Sequence, residues 1–233
     1  MEKLHGPSRA GAVQPVLSPS RGAGGDWRQA LPSIAGRVVV LREPELADAR
    51  PLWSMVSREE VSRFMSTPPR TVEGFERFIS WTHAERAGGN FACFAVVPHG
   101  MTCPVGVFQI RRLDERFEAA EWGFAIGSAF WGQGVYADAA VMVLEFAFEV
   151  IGVRRLEAHT AAANGRATGA LGKMGATRIG VLHGSLVKEG RSLDQELWLI
   201  RDEDWRRTRH ALPLRTRWPY VHPGCLQVAR RSA

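Results

Sequence analysis

Tyrosine is nearly absent from this chain. Tyr136 and Tyr220 are the only two in 233 residues, so a reaction that needs a phenol has few places to find one. Cysteine is scarce as well. Cys93, Cys103 and Cys225 are odd in number and lack metal-ligand spacing, so free thiols in a reducing cytoplasm are the simplest reading, with no metal site expected. The longest apolar stretch, Val141 to Val153, is broken by Glu145 and Glu149, which is too short and too charged for a membrane-spanning helix. The opening Met1-Glu-Lys-Leu-His-Gly-Pro has no apolar stretch of the kind a secretory signal needs.

Acidic residues are missing from one region only. Residues 206–233 hold seven arginines and no acid, whereas residues 36–205 hold 19 Lys+Arg against 22 Asp+Glu. The formal net charge of +6 therefore belongs to the tails and not to the central domain. A nucleic-acid partner requires a basic face on the folded domain, and this composition disfavours one. Apolar residues make up 45% of the chain and charged ones 23%, the balance of a globular protein with one well-buried core.

Three regions follow. Residues 1–35 are rich in Gly, Pro, Ser, Ala and Arg without periodicity and read as a disordered N-terminal extension. Residues 36–205 read as the functional domain, and 206–233 as a basic C-terminal extension. Within the domain, Arg37-Val-Val-Val-Leu-Arg reads as a first strand, Pro44 to Val56 as a helix opened by its proline, and Val72 to Arg86 as an amphipathic helix. Phe91–Val97, Pro104–Arg112 and Ala119–Gly127 read as an antiparallel meander. A long helix spans Gly134 to Ile151. Its acids Asp138, Glu145 and Glu149 form one narrow stripe on an otherwise apolar cylinder, so neighbours must cover most of it. A strand at Arg155–Thr160, a helix at Asn164–Met174 and a closing hairpin, Ala176–Val187 with Leu193–Ile200, complete a mixed α/β (α+β) fold: a mostly antiparallel sheet flanked by helices.

The segment Phe130-Trp-Gly-Gln-Gly-Val-Tyr-Ala-Asp-Ala joins a strand to the long helix. Gly132 and Gly134 let the backbone approach a ligand closely, and the helix start directs free N–H groups at it, which suits a pyrophosphate. Around it stand Trp122-Gly-Phe-Ala-Ile-Gly, Arg155-Leu-Glu-Ala-His-Thr, Asn164-Gly-Arg-Ala, Lys173-Met-Gly-Ala and Asp194-Gln-Glu-Leu-Trp. In this order and spacing the chain, from about Arg37 to Trp205, resembles the GNAT N-acetyltransferases, in the branch of the ribosomal-protein-alanine N-acetyltransferases. That resemblance implies a sheet whose fourth and fifth strands splay so that pantetheine lies between them. It also implies acetyl-CoA as cosubstrate, bound by Trp131, Gly132, Gln133, Gly134, Val135 and Tyr136. The family loop is Gln/Arg-x-x-Gly-x-Gly/Ala; here Trp131 takes its first position and Tyr136 its last, and the Tyr136 side chain is expected to turn outward.

Acetyl transfer needs a neutral amine, so a group must take the proton of an ammonium. Glu121 is the candidate base, or else an ordinary exposed strand glutamate. Strand alternation sets it with Gly123 and Ala125 on one face, opposite Trp122, Phe124 and Ile126. The resemblance puts an oxyanion donor among the backbone N–H groups near Phe124, Ala125 and Ile126, and gives Asn164 a bond to pantetheine beside its role as helix cap. The family's tyrosine acid would fall at Leu171, which leaves an unaided thiolate or a hydroxyl such as Thr168 or Ser185. His159 and His183 could be proton carriers, but each is isolated along the chain and reads as structural. Asp194 reads as a substrate-side acid that could hold an ammonium, or as a solvated strand residue. The acceptor is an amine, either a protein N-terminus or a small molecule, and a homodimer is compatible with the sequence. The alternative is a CoA-binding regulatory or interaction module without catalysis.

Overall fold

A computed structural model describes residues 26–66 and 68–209; Tyr220 and Cys225 lie outside this range. Eight strands form one sheet in the order β1-β2-β3-β4-β5-β6-β8-β7. They are β1 (Ile34–Ala35), β2 (Val39–Arg42), β3 (Phe91–Pro98), β4 (Gly106–Arg112), β5 (Ala119–Ile126), β6 (Arg155–Ala161), β7 (Thr177–Lys188) and β8 (Arg191–Arg201). Every neighbouring pair is antiparallel except β5 and β6. The helices are α1 (Ala49–Val56), α2 (Glu59–Ser62), α3 (Val72–Ala87), α4 (Val135–Glu145), α5 (Gly165–Lys173) and α6 (Asp202–Thr208).

The expected boundary at Arg37 falls too late. Trp27 and Leu31 are buried in the main core, and Trp27 meets Phe117 edge-on at 5.9 Å. Composition alone hid this, because two apolar residues in a Gly/Ser-rich setting carry no period. The helix expected from Pro44 begins instead as a short 3-10 turn, Leu46–Asp48, before α1. The Asp48 carboxylate fixes that turn by accepting the Glu45 N–H at 2.8 Å and the Arg42 guanidinium at 2.6 and 2.8 Å.

The two faces of the sheet are covered differently. Phe94, Phe108 and Phe124 are cross-strand partners, so they share a face, and α4 packs there through Tyr136 and the following Phe146. On the other face Phe91, Arg111 and Glu121 are partners, and Trp81 of α3 lies 4.9 Å from Phe91. The acidic stripe expected along the long helix does not form. Asp138 is buried and accepts N–H groups of Arg37, Val38 and Val39 at 3.2, 2.7 and 3.1 Å. After Glu145 the helix widens into a π turn, Phe146–Ile151, which shifts the phase so that Phe146, Ala147 and Phe148 are all buried.

Candidate functional site

β5 and β6 pair over Ala119↔Arg155, Ala120↔Leu156 and Glu121↔Glu157, and no further. These are the strands expected to splay, and they do so at Glu121. The N–H of Gly127 bonds to Val105, which continues into β4, while the N–H groups of Arg154 and Arg155 bond to the carbonyl of Glu118. Backbone groups alternate sides along a strand. Odd-numbered residues of β5 therefore turn their N–H toward β4, and Phe124 and Ile126 turn theirs into the gap. Ala125 belongs to the first set, so its N–H is no candidate donor there.

At the far end of β5 the glycine loop is tightly built. Gly132 and Gly134 have φ of 75° and 84°, in the left-handed region that glycine adopts freely. The Trp131 indole donates to the Ile126 carbonyl at 2.8 Å, and Gln133 Nε2 donates to the Ala129 carbonyl at 2.6 Å. Both side chains thus brace the loop. The backbone N–H groups from Gly132 to Tyr136, including Val135, make no hydrogen bond to any described residue. They run from the loop into the first turn of α4, where helix geometry leaves donors exposed. Arg166, in the first turn of α5, stacks 4.4 Å from the Trp131 ring and brings a guanidinium beside the loop.

Tyr136 does not turn outward. Its ring packs 4.6 Å from Phe124 and 5.7 Å from Phe108, and its hydroxyl is buried with no hydrogen-bond partner among the described residues. Burial pushes that phenol far above its ordinary value. The α4 face is apolar, and a large ring at this helix position gains more from packing on Phe124 than from solvent.

Asn164 caps α5: its side-chain oxygen accepts the Ala167 N–H at 3.2 Å, while its amide nitrogen donates to no described residue. Leu171 is buried. The hydroxyls considered as acids are bound to nearby carbonyls, Thr168 to Gly165 at 3.2 Å and Ser185 to Leu182 at 3.0 Å. Asp194 is committed to the β7–β8 hairpin. It accepts the Gly184 N–H at 2.8 Å and lies 3.0 Å from His183 Nδ1, at an irregularity in strand register between Leu182 and Leu186. The Gly184 bond, then the His183 contact, hold its carboxyl below the ordinary value. His183 is accordingly not isolated. Asp194 is also distant from Glu121: Ala161, partnered with the neighbouring Gln195, lies four residues along β6 from Glu157, roughly 13 Å at strand rise.

Glu121 is not alone. Its Oε2 receives Arg111 Nε at 3.1 Å and also Arg111 Nη2, and its Oε1 lies 3.4 Å from His159 Nδ1. Sequence reasoning set His159 aside as isolated because the two residues are 38 positions apart. The signal was available in register: parallel pairing of Glu121 with Glu157 places His159 one step further on the same face.

Known proteins share this fold. The sequence profile of the acetyltransferase (GNAT) domain matches residues 39–177. An uncharacterized N-acetyltransferase p20 of Bacillus licheniformis is 24% identical over 168 residues, covering 72% of this chain and 94% of its own. Among solved structures, Mycobacterium smegmatis RimJ in complex with CoA-disulfide superposes with a TM-score of 0.69 at 21% identity, covering 77% of this chain and 93% of that one. A ribosomal-protein-S5-alanine acetyltransferase from Vibrio fischeri does so at 0.67 and 18%, covering 75% and 98%. With the profile spanning more than half of its length, the chain belongs to the GNAT acetyltransferase family.

Proposed function

We propose that this protein transfers the acetyl group of acetyl-CoA to a primary amine by direct attack on the thioester. The observation that carries this reading is the run of N–H groups from Gly132 to Tyr136, without partners among the described residues, at the open end of a gap between β5 and β6. Such a run is a pyrophosphate cradle. Along the gap, Phe124 and Ile126 offer N–H groups to a pantetheine arm lying as an added strand, and Asn164, whose amide nitrogen donates to no described residue, can hold that arm. One of the same two N–H groups is placed to stabilise the oxyanion of the tetrahedral intermediate. The amine enters from the face of Glu121 and Gly123, where a Cβ built on Gly123 would meet no atom within 4 Å. The ammonium proton leaves through the Glu121 cluster. With Leu171 in place of the family tyrosine and Tyr136 buried, no tyrosine among the described residues is placed to protonate the CoA thiolate.

The acceptor class is a protein N-terminus or a small amine; the RimJ and S5-alanine acetyltransferase likenesses favour the first by analogy of fold. A reducing, cytoplasmic setting suits the free thiols of Cys93 and Cys103. The test measures acetyl-CoA binding by calorimetry and CoA release by thiol detection with a panel of amines and N-terminal peptides. Gly134→Asp imposes a left-handed backbone on a side chain and adds a negative charge in the cradle. It should weaken acetyl-CoA by ten-fold or more, about 1.4 kcal/mol. Unchanged affinity would reject the loop assignment, and binding without turnover across the panel would favour a regulatory module.

A further inference from the structure

We infer that His159 is the proton acceptor of this site, and that Glu121 and Arg111 are positioning residues that hold it ready. The inference rests on the acetyl-transfer reading above and changes which atom takes the proton. Both Glu121 oxygens are engaged, one by the Arg111 guanidinium and the other facing His159 at 3.4 Å. A carboxylate that binds a guanidinium at one oxygen and an imidazole at the other is arranged to orient, not to collect a proton. At 3.4 Å the pair is an ion-pair contact rather than a hydrogen bond, and a carboxylate facing Nδ1 favours the tautomer with its proton there, leaving Nε2 with its lone pair. His159 Nε2 makes no hydrogen bond to a described residue.

The position of His159 completes the case. Pairing between β5 and β6 ends at Glu121↔Glu157. Had it continued, His159 would lie opposite Gly123, the residue with open space where its side chain would be. His159 is therefore the first side chain on this face beyond the fork, beside the volume that the reacting carbonyl and amine must share. Side-chain exposure of 29% for His159 and 25% for Glu121 leaves them reachable but ordered. The remaining charges on this face of β4, β5, β6 and β8 are Arg111, Arg155, Glu157, Arg201 and, at the far tip of β8, Arg191. Arg155 pairs with Glu157 at 3.1 Å, and Arg111 with Glu121, so each carboxylate already has a cation. On β8 the cross-strand partner of His159 is Leu197, and no ion pair or hydrogen bond joins His159 to described residues of α1, α3 or β8. The step is then simple. An ammonium acceptor gives one proton to His159 Nε2, and the neutral nitrogen attacks the thioester carbon. The C–N bond forms, the C–S bond breaks with its electron pair on sulfur, and the amine's second proton ends on the CoA thiol. His159 returns its proton to water.

Two measurements on the full chain test this. In the first, 15N NMR of the histidine side chains reads the tautomer of neutral His159, with His159→Gln used for assignment. The Nδ1–H form is expected in the wild type, reverting to Nε2–H in Glu121→Gln; an Nε2–H form in the wild type overturns the proposal whatever the turnover. In the second, with an acceptor from the panel, His159→Gln should lower kcat by 100-fold or more near neutral pH and abolish the acidic limb of the pH profile. Its acetyl-CoA affinity should be retained, which also shows that the variant is folded. Glu121→Gln should lose about 10-fold, and the double variant no more than His159→Gln alone, because the two act as a unit. A His159→Gln enzyme with full rate and an unchanged acidic limb sinks the proposal while leaving acetyl transfer standing. A wild type without turnover fails the functional reading instead, and the tautomer still decides the placement of the proton.

Discussion

The Tyr136 hydroxyl sits among aromatic rings with no acceptor among the described residues, in a place where removing it costs nothing and leaves the ring in contact with Phe124 and Phe108. A buried hydroxyl without a partner loses its hydration for no return. Tyr136→Phe should therefore be neutral or stabilising by up to about 1 kcal/mol, read from the urea midpoint at unchanged slope. A loss of similar size would show that the oxygen has a partner. The same residue marks what sequence could and could not convey. Its place in the loop was legible from the glycine spacing. Its direction was not, because that depends on Phe108 and Phe124, which reach it only across the sheet. His159 failed to stand out for the same reason: its partner arrives by strand register, and a lone histidine carries no signal of it.

At the scale of elements, two carboxylates replace interactions that secondary structure leaves unmade. Asp138 projects from α4 and accepts three consecutive N–H groups where the chain turns from β1 into β2. Asp138→Asn keeps the shape but removes the charge and turns a donor toward those N–H groups. A loss of about 2–3 kcal/mol is expected in denaturant unfolding; a loss below about 0.5 kcal/mol would assign the joint to packing alone. Asp194 serves the β7–β8 hairpin in the same manner but in water. Its folded pKa lies below the unfolded value near 3.8, so its contribution is present above that value and disappears as pH falls through the lower folded one. Amide exchange at Gly184, followed by NMR, should accelerate in that acid window and at all pH values in Asp194→Asn. Strand and helix positions were largely readable here, since Phe91–Pro98 and Gly106–Arg112 are short apolar runs bounded by turns and α3 opens on a capping threonine, Thr71. The π turn after Glu145 was not, because a phase shift within an apolar helix leaves no polar marker.

Across the whole molecule, the fork between β5 and β6 is held open because each side is anchored elsewhere. β5 is tied along its full length to β4, and β6 to β8 over Arg155–Ala161, so neither strand is free to close on the other. The hairpin that extends β8 is in turn fastened at its tip, where Lys188 donates to the carbonyls of Ser62 and Met65 behind α2. The closed end of the fork depends on the turn that leads into β5, and that turn leans on a segment which composition alone assigned to a disordered extension. Phe117, with φ of 58°, is buried against Trp27 at 5.9 Å, and Asp114 accepts the N–H groups of Arg116, Glu118 and Ala119 within the same turn. Trp27→Ala removes the covering ring from a strained, buried residue next to Glu118, whose carbonyl receives β6. A loss of about 3 kcal/mol in stability is expected. Because that loss falls at the closed end of the fork, amide exchange at Arg154 and Arg155 should rise with it, while acetyl-CoA affinity, set by the opposite end, changes less than two-fold. If Trp27→Ala unfolds no more easily than the wild type, the ordered domain begins near Arg37 after all.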